Sequence, residues 1–252
     1  MAKRKKRKDL GLSVLGVLLF IVLIIFFSGF FVGYSCADKP KTEETPKVLE
    51  KNEPDTTKET EVDPLVEEKL GDMTLSDMVY QMMIVSPEEI TNVEVATMAG
   101  ESTKKAIETK PIGGLVYAAK NFEDAAQTES LIKNSQSYSK LPLFIVIADD
   151  GADKYSEEEF KNFGFNLVLT DMLLTKSETV QIDDVIIYKY EEGKSVVDAL
   201  KSGANMIYNS TELEDSHSSI MKALEDGDIS QEIIKENVRK ILTLKLSKGI
   251  LN

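Results

Sequence analysis

Residues 112–149 read IGGLVYAAKNFEDAAQTESLIKNSQSYSKLPLFIVIAD, a strand, a helix and a second strand in succession. Gly113-Gly114 followed by Leu115-Val116-Tyr117-Ala118 predicts a short buried strand, and Asn121, Glu123 and Asp124 stand where a helix begins. The helix is expected to run to Tyr138, with Ala125, Leu131, Ile132 and Ser135 on one buried face. Leu141 to Ala148 is almost wholly apolar, the pattern of a parallel strand covered on both faces. Asp149-Asp150-Gly151 follows at its carboxyl end, which is where α/β barrels build their sites.

Outward from this unit, strand-like runs recur at Val79–Val85, Gly114–Ala118, Leu143–Ala148, Phe165–Thr170, Val185–Tyr188 and Met206–Tyr208. Helical patterns separate most of them, which predicts an α/β fold with a parallel sheet. Ser195 to Ser202 reads as a helix stopped by Gly203, and Asp215 to Glu225 as another. A last helix opens at Ser230, carries Ile234, Val238, Ile241, Leu242 and Leu246 as an apolar stripe, and ends at Gly249. Six strands fall short of the eight of a full barrel, so the expectation is an incomplete or shortened (β/α) barrel of the TIM type.

The chain ahead of this domain has a different character. Residues 1–9 hold six cations, and Leu10 to Tyr34 is a 25-residue uncharged apolar run. As a helix it would span roughly 37 Å, enough to cross a bilayer core of ~30 Å. A cleaved signal peptide has a shorter apolar core, so the expectation is an uncleaved anchor with a cytoplasmic N-terminus and the rest outside, at the plasma membrane. Cys36 is the only cysteine and excludes an internal disulfide. The residues before it lack the aliphatic position of a lipidation motif, so it reads as an ordinary juxtamembrane thiol. Residues 35–63, rich in Lys, Glu, Thr and Pro, read as a flexible tether, which leaves 64–252 as the folded domain.

Without residues 1–9 the chain holds 24 Lys and Arg against 42 Asp and Glu, a net charge of −18. That surface argues against a nucleic-acid partner. Asp183-Asp184 and Glu191-Glu192 lack the oxygen-rich spacing of a cation loop and read as solvated turns, so no metal is expected. Gly113-Gly114 lacks the lysine and serine of a phosphate loop, and no cofactor is expected. Met78, Met82 and Met83 read as core filling.

Three blocks together resemble the N-terminal catalytic domain of glycoside hydrolase family 3, in particular bacterial β-N-acetylhexosaminidases acting on peptidoglycan sugars. Met73-Thr74-Leu75 through Gln81-Met82 is similar to the family's opening helix and strand. Residues 112–149 resemble its second and third strands, and Val196 to Leu251 its closing strand and helices. The resemblance implies a sugar-binding role for Asp149, with Asp150 beside it. The catalytic middle departs from the family: Asp150-Gly151-Ala152 replaces a glutamate and two glycines, and the Lys-His segment and the loop bearing the Asp-His acid/base pair are missing.

Retaining hydrolysis needs a nucleophile and an acid/base group about 5–5.5 Å apart. Thr170-Asp171-Met172-Leu173 resembles the nucleophile turn, which nominates Asp171. A second alignment sets Phe163-Gly-Phe-Asn-Leu-Val-Leu on the fourth strand and leaves Asp171 non-catalytic, and both stay open. Asp215-Ser216-His217 has the letters of the acid/base pair in the wrong place, so His217 is a weak nominee beside a helix-cap reading.

Three functions follow. The first is a degenerate, non-hydrolysing domain that binds a cell-wall amino-sugar glycan or a partner protein. The second is an active glycosidase using Asp171. The third is an assembly protein whose short barrel is completed by a second copy or another protein, since exposed sheet edges invite pairing.

Overall fold

The computed structural model describes residues 63–167, 178–191, 193–208 and 212–252. The expected anchor at 10–34, most of the tether and Asp171 lie outside the described residues. Helices α1 (Pro64–Gly71) and α2 (Leu75–Gln81) lead into β1 (Met83–Val85), and α3 (Pro87–Thr91) and α4 (Glu101–Thr109) lead to β2 (Gly114–Tyr117). Helix α5 (Ala125–Ser137) leads to β3 (Phe144–Ile147), which is followed by α6 (Glu157–Phe163). The hairpin β4 (Thr179–Ile182) and β5 (Val185–Lys189), then α7 (Val196–Lys201), β6 (Met206–Tyr208), α8 (Leu213–Glu225) and α9 (Gln231–Ser247), complete the described chain. None of these helices is long and apolar enough to cross a membrane.

The strands form one sheet in the order β3-β2-β1-β6-β5-β4. Every pairing is parallel except β4 with β5. The chain advances in the same direction across the sheet in both of its runs, β1 to β2 to β3 and β4 to β5 to β6, and the second run ends beside the start of the first. A doubly wound sheet reverses direction at a switch point, and this one does not. With right-handed crossovers, unidirectional winding puts the connecting helices on one face, as in a barrel. The sheet is thus a six-stranded half-barrel, a shortened member of the α/β barrel architecture.

Two joints show the repeat unit in detail. Gly164-Phe165-Asn166-Leu167 and Gly203-Ala204-Asn205-Met206 each end a helix on a glycine of positive φ, 104° and 101°. The next asparagine in each joint then reaches the preceding strand. Asn166 Oδ1 accepts from Ile145 N at 2.9 Å, and Asn205 Oδ1 accepts from Ile186 N at 2.8 Å. After the second joint comes β6; after the first, Leu167 bridges Val146 in parallel. The Phe165 segment therefore starts beside β3 in the place of the next barrel strand.

The amino ends of the strands are closed by a buried polar plug. Gln81 Nε2 donates to Pro111 O at 2.7 Å and Ile112 O at 3.2 Å, and Gln81 Oε1 accepts from Lys245 Nζ at 2.9 Å. Lys245 is fully buried, its ammonium 5.1 Å from the centre of the Phe144 ring, and burial pushes its pKa down to about 7. A Cβ at Gly113 would lie 2.0 Å from Gln81 O. That close approach is the reason for the first glycine of the pair.

Two expectations are revised. The run Val79–Val85 is not one strand: α2 continues to Gln81 and only Met83–Val85 is β. The Thr74–Asp77 capping box starts a helix whose Met78 and Val79 are buried, and a short apolar run does not show its period. Strand β4 was not expected, because only Val180 of its four residues is fully buried. As an edge strand it needs no apolar face.

Candidate functional site

The carboxyl ends of β1, β2, β3 and β6 open onto a cleft of about 640 Å³ whose lining includes Ser86, Glu88, Ala118, Asn121, Ala148 and Tyr208. Ser86, Ala118 and Ala148 each directly or closely follow their strands, so the cleft is a product of the sheet itself. Glu89, Asn92, Val93, Glu94 and Lys120 extend its walls.

Glu88 is the organising group. It reaches the cleft because Ser86 caps α3, its Oγ accepting from Glu89 N at 3.2 Å, with Pro87 in the first turn. Glu88 Oε1 accepts from Asn121 Nδ2 at 2.6 Å and Ala96 N at 3.1 Å, and lies 3.5 Å from Lys120 Nζ. The other oxygen, Oε2, is buried and has no hydrogen-bond donor among the described residues. Hydrogen bonds to a charged group contribute about 1.5–3 kcal/mol each, so Oε1 is firmly held.

Asn121, itself fully buried, completes the node. Its Oδ1 accepts from Ala118 N at 2.8 Å and its Nδ2 also donates to Ala96 O at 3.0 Å. Residues 92–100 are thereby fixed in an irregular path, and Tyr138 Oη adds a bond to Ala99 O at 3.2 Å. The segment carries Val93, Val95 and Met98 outward, all exposed. Glu89 Oε1 accepts from Leu213 N at 2.8 Å, joining α3 to the start of α8.

Of the nominated residues, Asp150 and His217 do not line this cleft, and Asp171 lies outside the described residues. Asp149 opens a 3-10 turn, Asp149–Gly151, at the carboxyl end of β3, and its side chain lies outside what the structure describes. Asp150 is exposed, and its Oδ1 accepts from Ala119 N at 3.3 Å, linking the turns after β2 and β3. His217 lies elsewhere, in the contact between α2 and α8. Its Nε2 is 3.0 Å from Ser76 Oγ, and its ring stacks on Tyr80 with centroids 4.0 Å apart. Burial holds its pKa below the ordinary histidine value. It does not line the cleft.

Glu88 was not nominated from the sequence, and Asn121 was noted only as a helix-start signal. Ser86-Pro87-Glu88-Glu89 announces a capped helix start, but nothing local ties Glu88 to an asparagine 33 residues later. Among the described residues no group of three or more His, Cys, Asp or Glu is placed to hold a metal ion.

No protein-family model matches the sequence, and no curated protein does. Among solved structures, the chain is similar to a glycoside hydrolase family 3 β-N-acetylglucosaminidase from Paenibacillus sp. (TM-score 0.50, 14% identity). It is also similar to a fungal multi-domain family 3 β-N-acetylglucosaminidase (TM-score 0.51, 11% identity). Each match covers 71% of this chain, but 63% of the first protein and 40% of the second. The chain thus carries a glycoside hydrolase family 3-like α/β fold, spanning less than two thirds of either of these enzymes.

Proposed function

We propose that this chain is a membrane-anchored, extracytoplasmic glycan-binding protein that keeps the carboxyl-end cleft of a family 3 barrel without its hydrolytic apparatus. The ligand class is an amino-sugar glycan of the cell wall. The observation that carries this reading is a formed cleft lined by Glu88 and Asn121 while the chain's sole histidine sits between α2 and α8. Two further features support it. Only five residues, Ala152–Ser156, separate the turn after β3 from α6, which leaves no room for a long catalytic loop at that point. Leu167 pairs with Val146 beside β3, which favours the alignment in which Asp171 follows the fourth strand as a non-catalytic residue.

The test uses the full-length chain in detergent micelles. It is expected to be retained on insoluble peptidoglycan and to release no nitrophenol from nitrophenyl N-acetyl-β-glucosaminide above a protein-free blank. Turnover that disappears in Asp171→Asn would overturn the reading in favour of a hydrolase.

A further inference from the structure

Residues 92–100 form a rim beside the cleft that is held from within and apolar on the outside. Ala96 and Ala99 are buried, and neighbouring elements fix their backbone. Glu88 Oε1 accepts from Ala96 N at 3.1 Å, Asn121 Nδ2 donates to Ala96 O at 3.0 Å, and Tyr138 Oη donates to Ala99 O at 3.2 Å. Gln127 Nε2 adds a bond to Thr97 O. Between and beside these anchors Val93 and Val95 are 44% and 45% exposed, and Met98 is 79% exposed. Among the described residues the one other large apolar side chain so exposed is Ile233. Single exposed apolar residues are ordinary on any surface, but three within six residues on a pinned segment are not scattered. A segment already fixed in shape also loses little conformational freedom when it docks.

A surface of matching chemistry lies on the same molecule. Beside β3 a hollow of about 830 Å³ is lined by Ile147, Tyr155, Phe160, Phe165, Leu167 and Ile250. Two cations, Lys161 and Lys248, stand in its walls against one carboxylate, Glu157. This local excess of positive charge belongs to a chain that carries −18 beyond residue 9. The rim has the opposite sign, with Glu94 between Val93 and Val95 and Glu101 opening α4 just past it. A methionine thioether is flexible and polarisable and packs favourably on aromatic rings, which Tyr155, Phe160 and Phe165 supply. Rim and hollow share no residue, and α5 and the residue after it fix both: Gln127 and Tyr138 hold the rim, and Gln136 lines the hollow. They therefore stand at a set separation and cannot meet within one chain.

We propose that residues 93–98 of one copy seat in the hollow beside β3 of a second copy, with Met98 against its aromatic rings and Glu94 toward Lys161 and Lys248. The contact joins two different surfaces, so it builds rows or rings of chains rather than a pair of self-matching patches. Two acidic chains repel one another over most of their surface, and the contact falls where the local signs are opposite. This self-association is independent of what the cleft binds.

The test is disulfide trapping between full-length chains in detergent micelles, all carrying Cys36→Ser so that only introduced thiols react. One chain carries Met98→Cys, and a second, differently tagged, carries Lys161→Cys. The control replaces Lys161→Cys with Glu225→Cys, exposed at the end of α8. Docking raises the effective concentration of the two thiols, so the mixed-tag dimer is expected to form about tenfold faster for the Lys161 pair than for the control. Chains that share a micelle raise both rates alike, and the ratio isolates the contact. Adding Glu94→Lys to the first chain is expected to remove most of the excess, and adding Lys248→Glu to the second to restore part of it. Should Lys161→Cys not fold, Lys248→Cys takes its place with Lys161→Glu as the restoring change. Equal rates for the hollow and control pairs would overturn the proposal, whether the copies stay apart or another segment of the chain occupies the hollow. An excess that neither charge reversal alters would overturn the assignment of this seat.

Discussion

The carboxyl ends of β1 and β2 and the carboxyl end of β3 are neighbours in one sheet, yet they are finished in opposite ways. Over β1 and β2, Glu88 and Asn121 hold residues 92–100 through a polar network and leave a cleft open. Beside β3 the connection to α6 is short, and aromatic rings pack against one another, Tyr155, Phe160 and Phe165 also lining a second hollow of about 830 Å³. Phe122 lies 6.2 Å from Phe160 and 6.0 Å from Phe165, Phe160 lies 5.0 Å from Phe165, and Tyr155 packs edge-on against Phe160 and Phe163. Such edge-to-face pairs add about 0.5–1.5 kcal/mol each beyond their buried area. One side of the half-barrel therefore spends its residues on a polar cleft, and the other on aromatic packing. Shortening a barrel removes cover from apolar strand ends, and large rings restore that cover with few residues.

The sharpest way to break this comparison is Phe122→Ala, which removes the central ring of the aromatic side. It is expected to cost about 3–5 kcal/mol, read as a lower urea midpoint at unchanged slope. A loss below about 1 kcal/mol would mean that the cluster does not hold the shortened side together. On the polar side, Asn121→Ala strips partners from Ala118 N, Glu88 Oε1 and Ala96 O and should cost about 2–3 kcal/mol. It should also speed amide exchange at Ala96, and unchanged exchange there would show that the loop is held by something else.

The plug at the opposite end of the strands supplies a pH test. Above pH ~10.5 Lys245 is neutral in both folded and unfolded chains. Between about 7 and 10.5 the unfolded chain binds its proton and the folded chain does not, so stability falls as pH is lowered across that window. The slope from this one group is about 1.4 kcal/mol per pH unit, and it levels off below pH 7 as the folded amine protonates. Lys245→Met should flatten the curve between pH 7 and 9 relative to the parent. Identical slopes would show that the amine does not stay neutral in the fold. The smallest effect is expected for His217→Ala, which removes a half-buried ring stack outside the cleft. Its cost should be under ~1 kcal/mol with retention on peptidoglycan unchanged, and lost retention would draw the α2–α8 contact into the site.

How much of this could be read along the chain depends on how local its cause is. The 112–149 unit was legible nearly to its boundaries because Asp124 caps α5 and an apolar run of four makes β3. The last helix was legible for the same reason, with Ser230 as its cap. The split of Val79–Val85 and the edge strand β4 were not, since a short apolar run serves either helix or strand and an edge strand shows little periodicity. His217 was legible only as letters: its neighbours Ser76 and Tyr80 are more than 130 residues away in sequence.

The sequence by itself therefore determined the element types, the alternation that makes an α/β sheet, and the carboxyl-end address of Asp149 and Asp150. Caps, turns and apolar spacing act within a few residues and can be read in order. Only the tertiary structure decided that strand progression runs one way, that Glu88 meets Asn121 and that Lys245 meets Gln81 across 164 residues. Those contacts are made between elements brought together by the burial of the sheet. Which polar groups then share the cleft depends on the packing that follows.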